Sequence, residues 1–347
     1  MVRVAGSGER GWLKYGSLVV LVAQNASQVL LIRYARTREK KEMFLATSAV
    51  FCTELLKLIT CIFIVSFQER SVHKCVKQMY EHIVRQPLDT AKVCVPSFVY
   101  TVQNNLLYVA VSHLAAATFM VTYQLKILTT AVFSVLMLGK PLSRLQWLSL
   151  LLLFVGVSVV QLNEQNTKSV SSNQTGSNTN SSKIEQRPLL GFSAVLVACV
   201  LSGFSGIYFE KILKGSDVSV WMRNIQLSVL ALPISYLTMQ AKDGAVVRSK
   251  GMFYGYDSLV YTIIAVYAIG GLTVAVVVRY ADNILKGFAT SVAIVVSCVV
   301  SAYLFDFVPT LQFALGTALV MSSIYIYSKF PAVSVAGQNA KDLPTKG

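Results

Sequence analysis

Charged residues are scarce in this chain, and acids are the scarcer sign. Of 347 residues only 14% are charged, with 16 Asp and Glu against 31 Lys and Arg. A soluble domain carries about 25% charged residues, so too few remain here to coat a water-facing surface. A soluble enzyme, a disordered chain and a fibre are excluded. Histidine is limited to His73, His82 and His113, far apart in sequence. The six cysteines, Cys52, Cys61, Cys75, Cys94, Cys199 and Cys298, are scattered and form no C-x-x-C pair. Neither a disulfide framework nor a metal site is expected. The chain also lacks DxD and HxxxD, the acid or metal clusters a membrane glycosyltransferase would need. A filter loop or ring of charge, which an ion channel would show, is absent too.

Long apolar runs stand in their place. Apolar residues make up 54% of the chain and mean hydropathy is +0.58. A membrane-crossing helix needs about 20 apolar residues. Ten runs qualify, over 14–33, 43–67, 92–112, 114–138, 145–162, 189–212, 219–240, 258–279, 284–305 and 309–328. They are continuous rather than alternating, so they read as helices and not as barrel strands. The fold class is therefore an all-α polytopic membrane protein. The net charge of +15 suggests a lipid bilayer rather than nucleic acid, because most basic residues lie in short segments between apolar runs.

Residues 163–188 interrupt the pattern with a Ser/Asn/Thr-rich stretch that cannot bury a core. This linker leaves five spans on each side, over 14–162 and 189–329, with tails at 1–13 and 330–347. An odd number per half means the second half enters the membrane in the opposite sense, the arithmetic of an inverted repeat. LQWLSLLLLFVGVSVV from Leu145 and LQFALGTALVMSSIYI from Leu311 read alike at the ends of the halves. With both termini cytosolic, 16 Lys and Arg fall in cytosolic segments and 11 opposite, the sign the positive-inside rule asks for. The sequons at Asn173 and Asn180 then fall in a lumenal linker.

Ionisable groups inside spans cost about 2.5–3.5 kcal/mol each at the bilayer centre on insertion scales, and so point to a cavity or a partner. Lys126 lies deep in its run, on one helix face with Thr118, Phe119 and Tyr123. Lys286 opens a later run, with Asp282 one turn before it, either as a surface pair or as a second deep cation. Glu54 and Lys57 share a face and can neutralise each other, as a gate or charge pair. Arg223 beside Trp221 reads as an interfacial anchor. Tyr100, Gln103 and Asn104 bring hydroxyl and amide groups to the third span, and Asn224 is a counterpart in the second half. Ser202, Gly203, Ser205 and Gly206 form a small face that packs helices or lines a path. Lysines suit phosphate, amides a base edge or sugar hydroxyls, and aromatics a stacked ring. Together they point to an anionic, ring-bearing solute such as a nucleotide.

At these same residues the chain resembles a known family. YTVQNNLLYVA, TYQLKILTTAVFSVLMLGK, LQWLSLLLLFVGV, SGFSGIYFEKIL, VWMRNIQL and RYADNILKGFATS look like the Golgi nucleotide-sugar transporters that carry UDP-galactose, UDP-N-acetylglucosamine and CMP-sialic acid. The likeness spans about Lys14 to Tyr327. It implies ten helices in an inverted five-plus-five repeat and no cofactor. It also implies exchange of a cytosolic nucleotide sugar for lumenal nucleoside monophosphate. By motif, Lys126 and Lys286 would hold the phosphates, and Tyr100 and Asn104 would contact the nucleotide. Ser202 and Asn224 would contact nucleotide or sugar, and Lys57 would add a phosphate contact or partner Glu54. Two departures concern the site: Ala115 replaces the family's acid, and Phe119 replaces its tyrosine. The likeness is greater to the UDP-sugar members, with UMP as counter-substrate. CMP-sialic acid exchange and export of another anionic metabolite are the alternatives. Homo-oligomers and association with glycosyltransferases stay open.

Overall fold

The computed structural model describes residues 7–37, 44–114, 116–174, 188–304 and 310–331. Among them are twelve α-helices, one π-helical stretch and no strand. The helices are α1 (Ser7–Thr37), α2 (Ala46–Gln68), α3 (Val72–Met79), α4 (Pro87–His113), α5 (Ala116–Tyr123), α6 (Lys126–Leu138), α7 (Arg144–Gln174), α8 (Pro188–Lys214), α9 (Val220–Lys250), α10 (Ser258–Tyr280), α11 (Asn283–Leu304) and α12 (Leu311–Lys329). The π stretch, Tyr80–Val84, follows α3 directly.

Among the described residues eight segments are long and apolar enough to cross a membrane: Gly11–Ile32, Ala46–Gln68, Thr118–Leu138, Arg144–Leu162, Pro188–Lys214, Ser258–Tyr280, Asn283–Val300 and Leu311–Lys329. The other two expected spans, 92–112 and 219–240, lie in α4 and α9, which are 27 and 31 residues long. Both helices carry concentrated polar groups: Gln103, Asn104 and Asn105 in α4, and Arg223, Asn224, Gln226 and Ser228 in α9. These lower the hydropathy that a spanning stretch must show.

Boundaries differ from the expected ones in two places. Helix α1 begins at Ser7, inside the expected tail over 1–13. Helix α7 continues to Gln174, so the expected linker starts as helix. No Gly or Pro stands between Gly156 and Gly176 to stop it, although Ser, Asn and Thr are weak helix formers. The rest of the linker, with Asn180, lies outside the described residues, as does the tail beyond Pro331.

The chain packs as two units, each drawing on both halves of the sequence. The first comprises 1–101 and 208–297, the second 102–207 and 298–347. In the first unit α1 packs on α10, and α2 packs on α9 and α10. Cys61, Val65, Met222, Ile225 and Leu272 are buried together there with Cys75 of α3. Thr47 donates to Asp243, and Ser48 bonds the Tyr256 hydroxyl at 3.0 Å, which ties the start of α2 to the α9–α10 turn. Burial pushes the Tyr256 phenol up.

In the second unit α7 crosses α12. At that crossing a Cβ on Gly156 would meet the Gly316 carbonyl oxygen at 3.0 Å, and one on Gly316 would meet the Gly156 oxygen at 3.0 Å. Two backbones approach this closely only where the residues are small. A second cluster, Ala110, Leu114, Ala194, Val195 and Cys199, joins α4 to α8 with Phe119 and Tyr123 packed on it.

Candidate functional site

The span Thr118–Leu138 is broken in its middle. Helix α5 ends at Tyr123 and α6 begins at Lys126, with Gln124 and Leu125 in a turn between them. Tight i→i−3 bonds mark the break: Gln124 N to Val121 O at 3.1 Å, Leu125 N to Thr122 O at 3.0 Å and Ile127 N to Gln124 O at 3.0 Å. Neighbouring helices support the backbone groups around it. The Cys199 thiol of α8 donates to the Thr122 and Tyr123 carbonyls at 3.6 and 3.5 Å. The Thr129 hydroxyl donates to the Cys199 carbonyl at 2.7 Å. Gln124 reaches Gln161 of α7 at 2.7 Å. Helix α8 comes this close because of Gly203, where a Cβ would meet the Thr129 and Thr130 backbone at 2.8 Å. Gly203 thus has the packing role expected of it.

Lys126 therefore stands at the start of a half-helix, where the helix dipole favours an anion. Its side chain is half-buried. The ammonium lies 4.1 Å from the centre of the Tyr123 ring. Tyr123 stacks on Phe119, centroids 5.8 Å apart and planes 9° from parallel. The Gln103 amide donates to the Tyr123 hydroxyl at 3.2 Å, while its own buried carbonyl oxygen has no hydrogen-bond partner among the described residues. Among the described residues no carboxylate pairs with Lys126. The face read from spacing is thus a continuous ladder of Phe119, Tyr123 and Lys126, joined by Gln103. Ser202 lies half-buried one residue before Gly203. Asn104 is on α4, and its side chain and Ala115 lie outside the described set.

The expected residues of the first unit have different surroundings. Lys57 is 2.9 Å from both Glu54 oxygens, and Ser228 reaches Glu54 at 3.4 Å. The stem of Lys57 runs over Gly271, where a Cβ would meet its Cε at 3.1 Å. Glu54 and Lys57 are a charge pair held between α2 and its neighbours. Asn224 is buried and donates to the Val220 carbonyl of its own helix at 2.9 Å. Tyr100 is 39% exposed near the middle of α4.

Lys286 is half-buried in the first turn of α11. Asp282 caps this helix by accepting from Leu285 N at 2.7 Å. The helix start is anchored further by Glu210, which is fully buried. Glu210 accepts from Asn283 N at 2.8 Å and from Lys214 Nζ at 2.7 Å, and Lys214 also donates to the Ala281 carbonyl at 2.6 Å. Glu210 was not singled out from the sequence, though its i,i+4 spacing to Lys214 was a signal.

Arg223 is not an interfacial anchor. It is 1% exposed, donates to both oxygens of Asp89, one at 3.1 Å, and reaches Gln226 at 2.8 Å. The hydrogen bond from Arg223 holds the Asp89 carboxyl below its usual range, against the opposing effect of burial. Asp89 is far away in sequence, so spacing gave no hint of this pair.

Comparison with known proteins fits this geometry. The nucleotide-sugar transporter family model matches residues 9–328. The UDP-galactose/UDP-N-acetylglucosamine transporter srf-3 of Caenorhabditis elegans is 48% identical over 98% of this chain and 89% of its own length. The human UDP-galactose translocator is 51% identical over 91% and 77%. The rat UDP-N-acetylglucosamine transporter is 47% identical over 92% and 96%. A solved crystal structure only 12% identical superposes with a TM-score of 0.61, covering 91% of this chain and 96% of the other, which is a likeness of fold alone. Eight spanning-type helices, a lysine on an aromatic ladder at a broken span, and a family match over nearly the whole length agree: this chain belongs to the nucleotide-sugar transporter family.

Proposed function

We propose that the chain is a Golgi antiporter that moves UDP-N-acetylglucosamine, UDP-galactose or both into the lumen in exchange for UMP, with UDP-N-acetylgalactosamine as a further candidate cargo. The observation that carries this reading is Lys126, a cation at a helix start, set on a tyrosine ring and without a carboxylate partner among the described residues. Such a group binds phosphate, and the adjoining Phe119–Tyr123 stack suits a planar ring. Lys286 is the second phosphate contact in this reading, with Tyr100, Gln103, Asn104, Ser202 and Asn224 around nucleotide and sugar. The names of relatives at 47–51% identity support UDP-sugars over CMP-sialic acid.

The architecture in this reading is ten spans in an inverted repeat over 14–162 and 189–329, with both termini cytosolic. Golgi residence follows the family resemblance. UDP-sugar and UMP each carry about two negative charges near neutral pH, so exchange moves little net charge. An empty carrier would leave Lys126 without an anion and switch reluctantly, which favours exchange over one-way transport.

The test uses purified chain in liposomes loaded with UMP or left empty, and labelled UDP-N-acetylglucosamine, UDP-galactose and CMP-sialic acid. UMP-dependent uptake of one or both UDP-sugars is expected. Uptake of CMP-sialic acid alone, or of none by folded protein, contradicts the proposal.

A further inference from the structure

Between α2 and α4 the surface is divided in an uncommon way. Val72, Val76, Tyr80 and Val84 recur at every fourth position, and they are 67%, 58%, 53% and 57% exposed. The neighbouring flank, Cys75, Met79 and Ile83, packs into the α2–α9 cluster. The apolar arc is therefore wider than protein packing uses. In a regular α-helix a four-residue stripe drifts by about 40° per step. The wider π turn over Tyr80–Val84 brings Val84 back towards the line.

Exposed apolar side chains flank the stripe on both sides in sequence. Phe63 and Phe67 end the spanning helix α2 at 70% and 78% exposure, and Leu88 opens α4 at 80%. Arg70, at φ 52°, turns the chain sharply from α2 towards α3. The charge around the stripe has one exposed sign. Arg70, Lys74, Lys77, Arg85 and Lys92 are exposed, whereas Glu69, Glu81 and Asp89 are half-buried, and Asp89 is taken by Arg223. The Arg85 guanidinium lies 5.9 Å from the centre of the Tyr80 ring.

We propose that residues 70–92 form an interfacial segment whose Val72–Val76–Tyr80–Val84 stripe enters the acyl boundary while its basic residues bind anionic phospholipid headgroups. An exposed apolar stripe beside Lys and Arg is the signature of a helix lying in the membrane surface, and the positive charge selects anionic lipid. The segment is also bonded to the transport helices of its unit. Gln226 of α9 donates to the His82 carbonyl at 3.0 Å, and Thr90 donates to the His82 and Ile83 carbonyls at 3.2 and 3.1 Å. Headgroup binding therefore steadies the contact between the π stretch and α9. The inference rests on the membrane placement of α2 and not on the identity of the cargo.

Two measurements on the full chain test it. Val76→Trp adds one indole to the three native ones. In phosphatidylcholine vesicles its added emission is expected to be quenched by brominated acyl chains and shielded from aqueous iodide. Separately, native mass spectrometry counts phosphatidylserine retained from vesicles containing phosphatidylserine and phosphatidylcholine. Lys74→Gln/Lys77→Gln/Arg85→Gln is expected to weaken that retention about fivefold per charge removed, with phosphatidylcholine retention unchanged. An added indole that iodide quenches and brominated lipid does not overturns the proposal. Equal phosphatidylserine retention by parent and triple variant overturns it as well.

Discussion

Among the described residues of the first unit Lys57 is tied to Glu54, Lys214 to Glu210 and Arg223 to Asp89, whereas in the second Lys126 rests on the Tyr123 ring with no described carboxylate beside it. A cation beside a carboxylate is neutralised locally, and its value is structural: it joins helices and anchors a helix start. A cation over an aromatic face keeps its net charge, because the ring offers only a quadrupole. It can still bind an anion that arrives and leaves. The contrast separates residues that hold the fold from one that can hold a phosphate, although both kinds are ionisable groups in an apolar chain.

The largest effect that would sharpen the contrast is on transport. Lys126→Ala is expected to lower UDP-sugar uptake into UMP-loaded liposomes by about 100-fold, as loss of a charge-assisted phosphate bond of roughly 3 kcal/mol would, with the melting temperature nearly unchanged. The Asp89–Arg223 pair should behave in the opposite way. Asp89→Ala strands a buried guanidinium and is expected to cost about 2 kcal/mol of stability, read by thermal unfolding in detergent. Because the Asp89 carboxyl is lowered, its stabilisation is full above the ordinary carboxylate pKa of about 3.9. It is lost as pH falls through the lowered value. Asp89→Asn should flatten the decline in melting temperature below about pH 4.

A smaller effect is expected where helices meet at the broken span. Gly203→Ala places a methyl against the Thr129 and Thr130 backbone and is expected to cost about 1–2 kcal/mol, with a fall in uptake as Lys126 shifts. If uptake and melting temperature both stay at parent level, the close approach of α8 does not position Lys126. The smallest effect is at Arg70. Its positive φ favours glycine, so Arg70→Gly is expected to stabilise by roughly 0.5 kcal/mol in thermal unfolding.

The sequence made some of this legible and hid the rest for physical reasons. Three- and four-residue spacing placed Phe119, Tyr123 and Lys126 on one face, and they touch. The i,i+3 spacing of Glu54 and Lys57 anticipated their pairing. The break at Gln124–Leu125 was not legible, because YQLKIL contains neither Gly nor Pro. Its supports come from α7 and α8, far along the chain. Arg223 was misread for the same reason: its partner Asp89 lies in α4. Glu210 could have been found, since Lys214 is one turn away, but it stands at the end of an apolar run where a polar residue draws little notice. Local periodicity reveals faces; it does not reveal which distant helix completes them.

The most direct test of Lys126 as the phosphate group compares UMP with uridine. The parent chain and Lys126→Ala, purified in the same detergent, would be titrated with each ligand and followed by thermal shift. The account predicts that the parent binds UMP at least tenfold more tightly than uridine, and that Lys126→Ala loses most of this preference while binding uridine as before. An unchanged UMP preference in Lys126→Ala would contradict it.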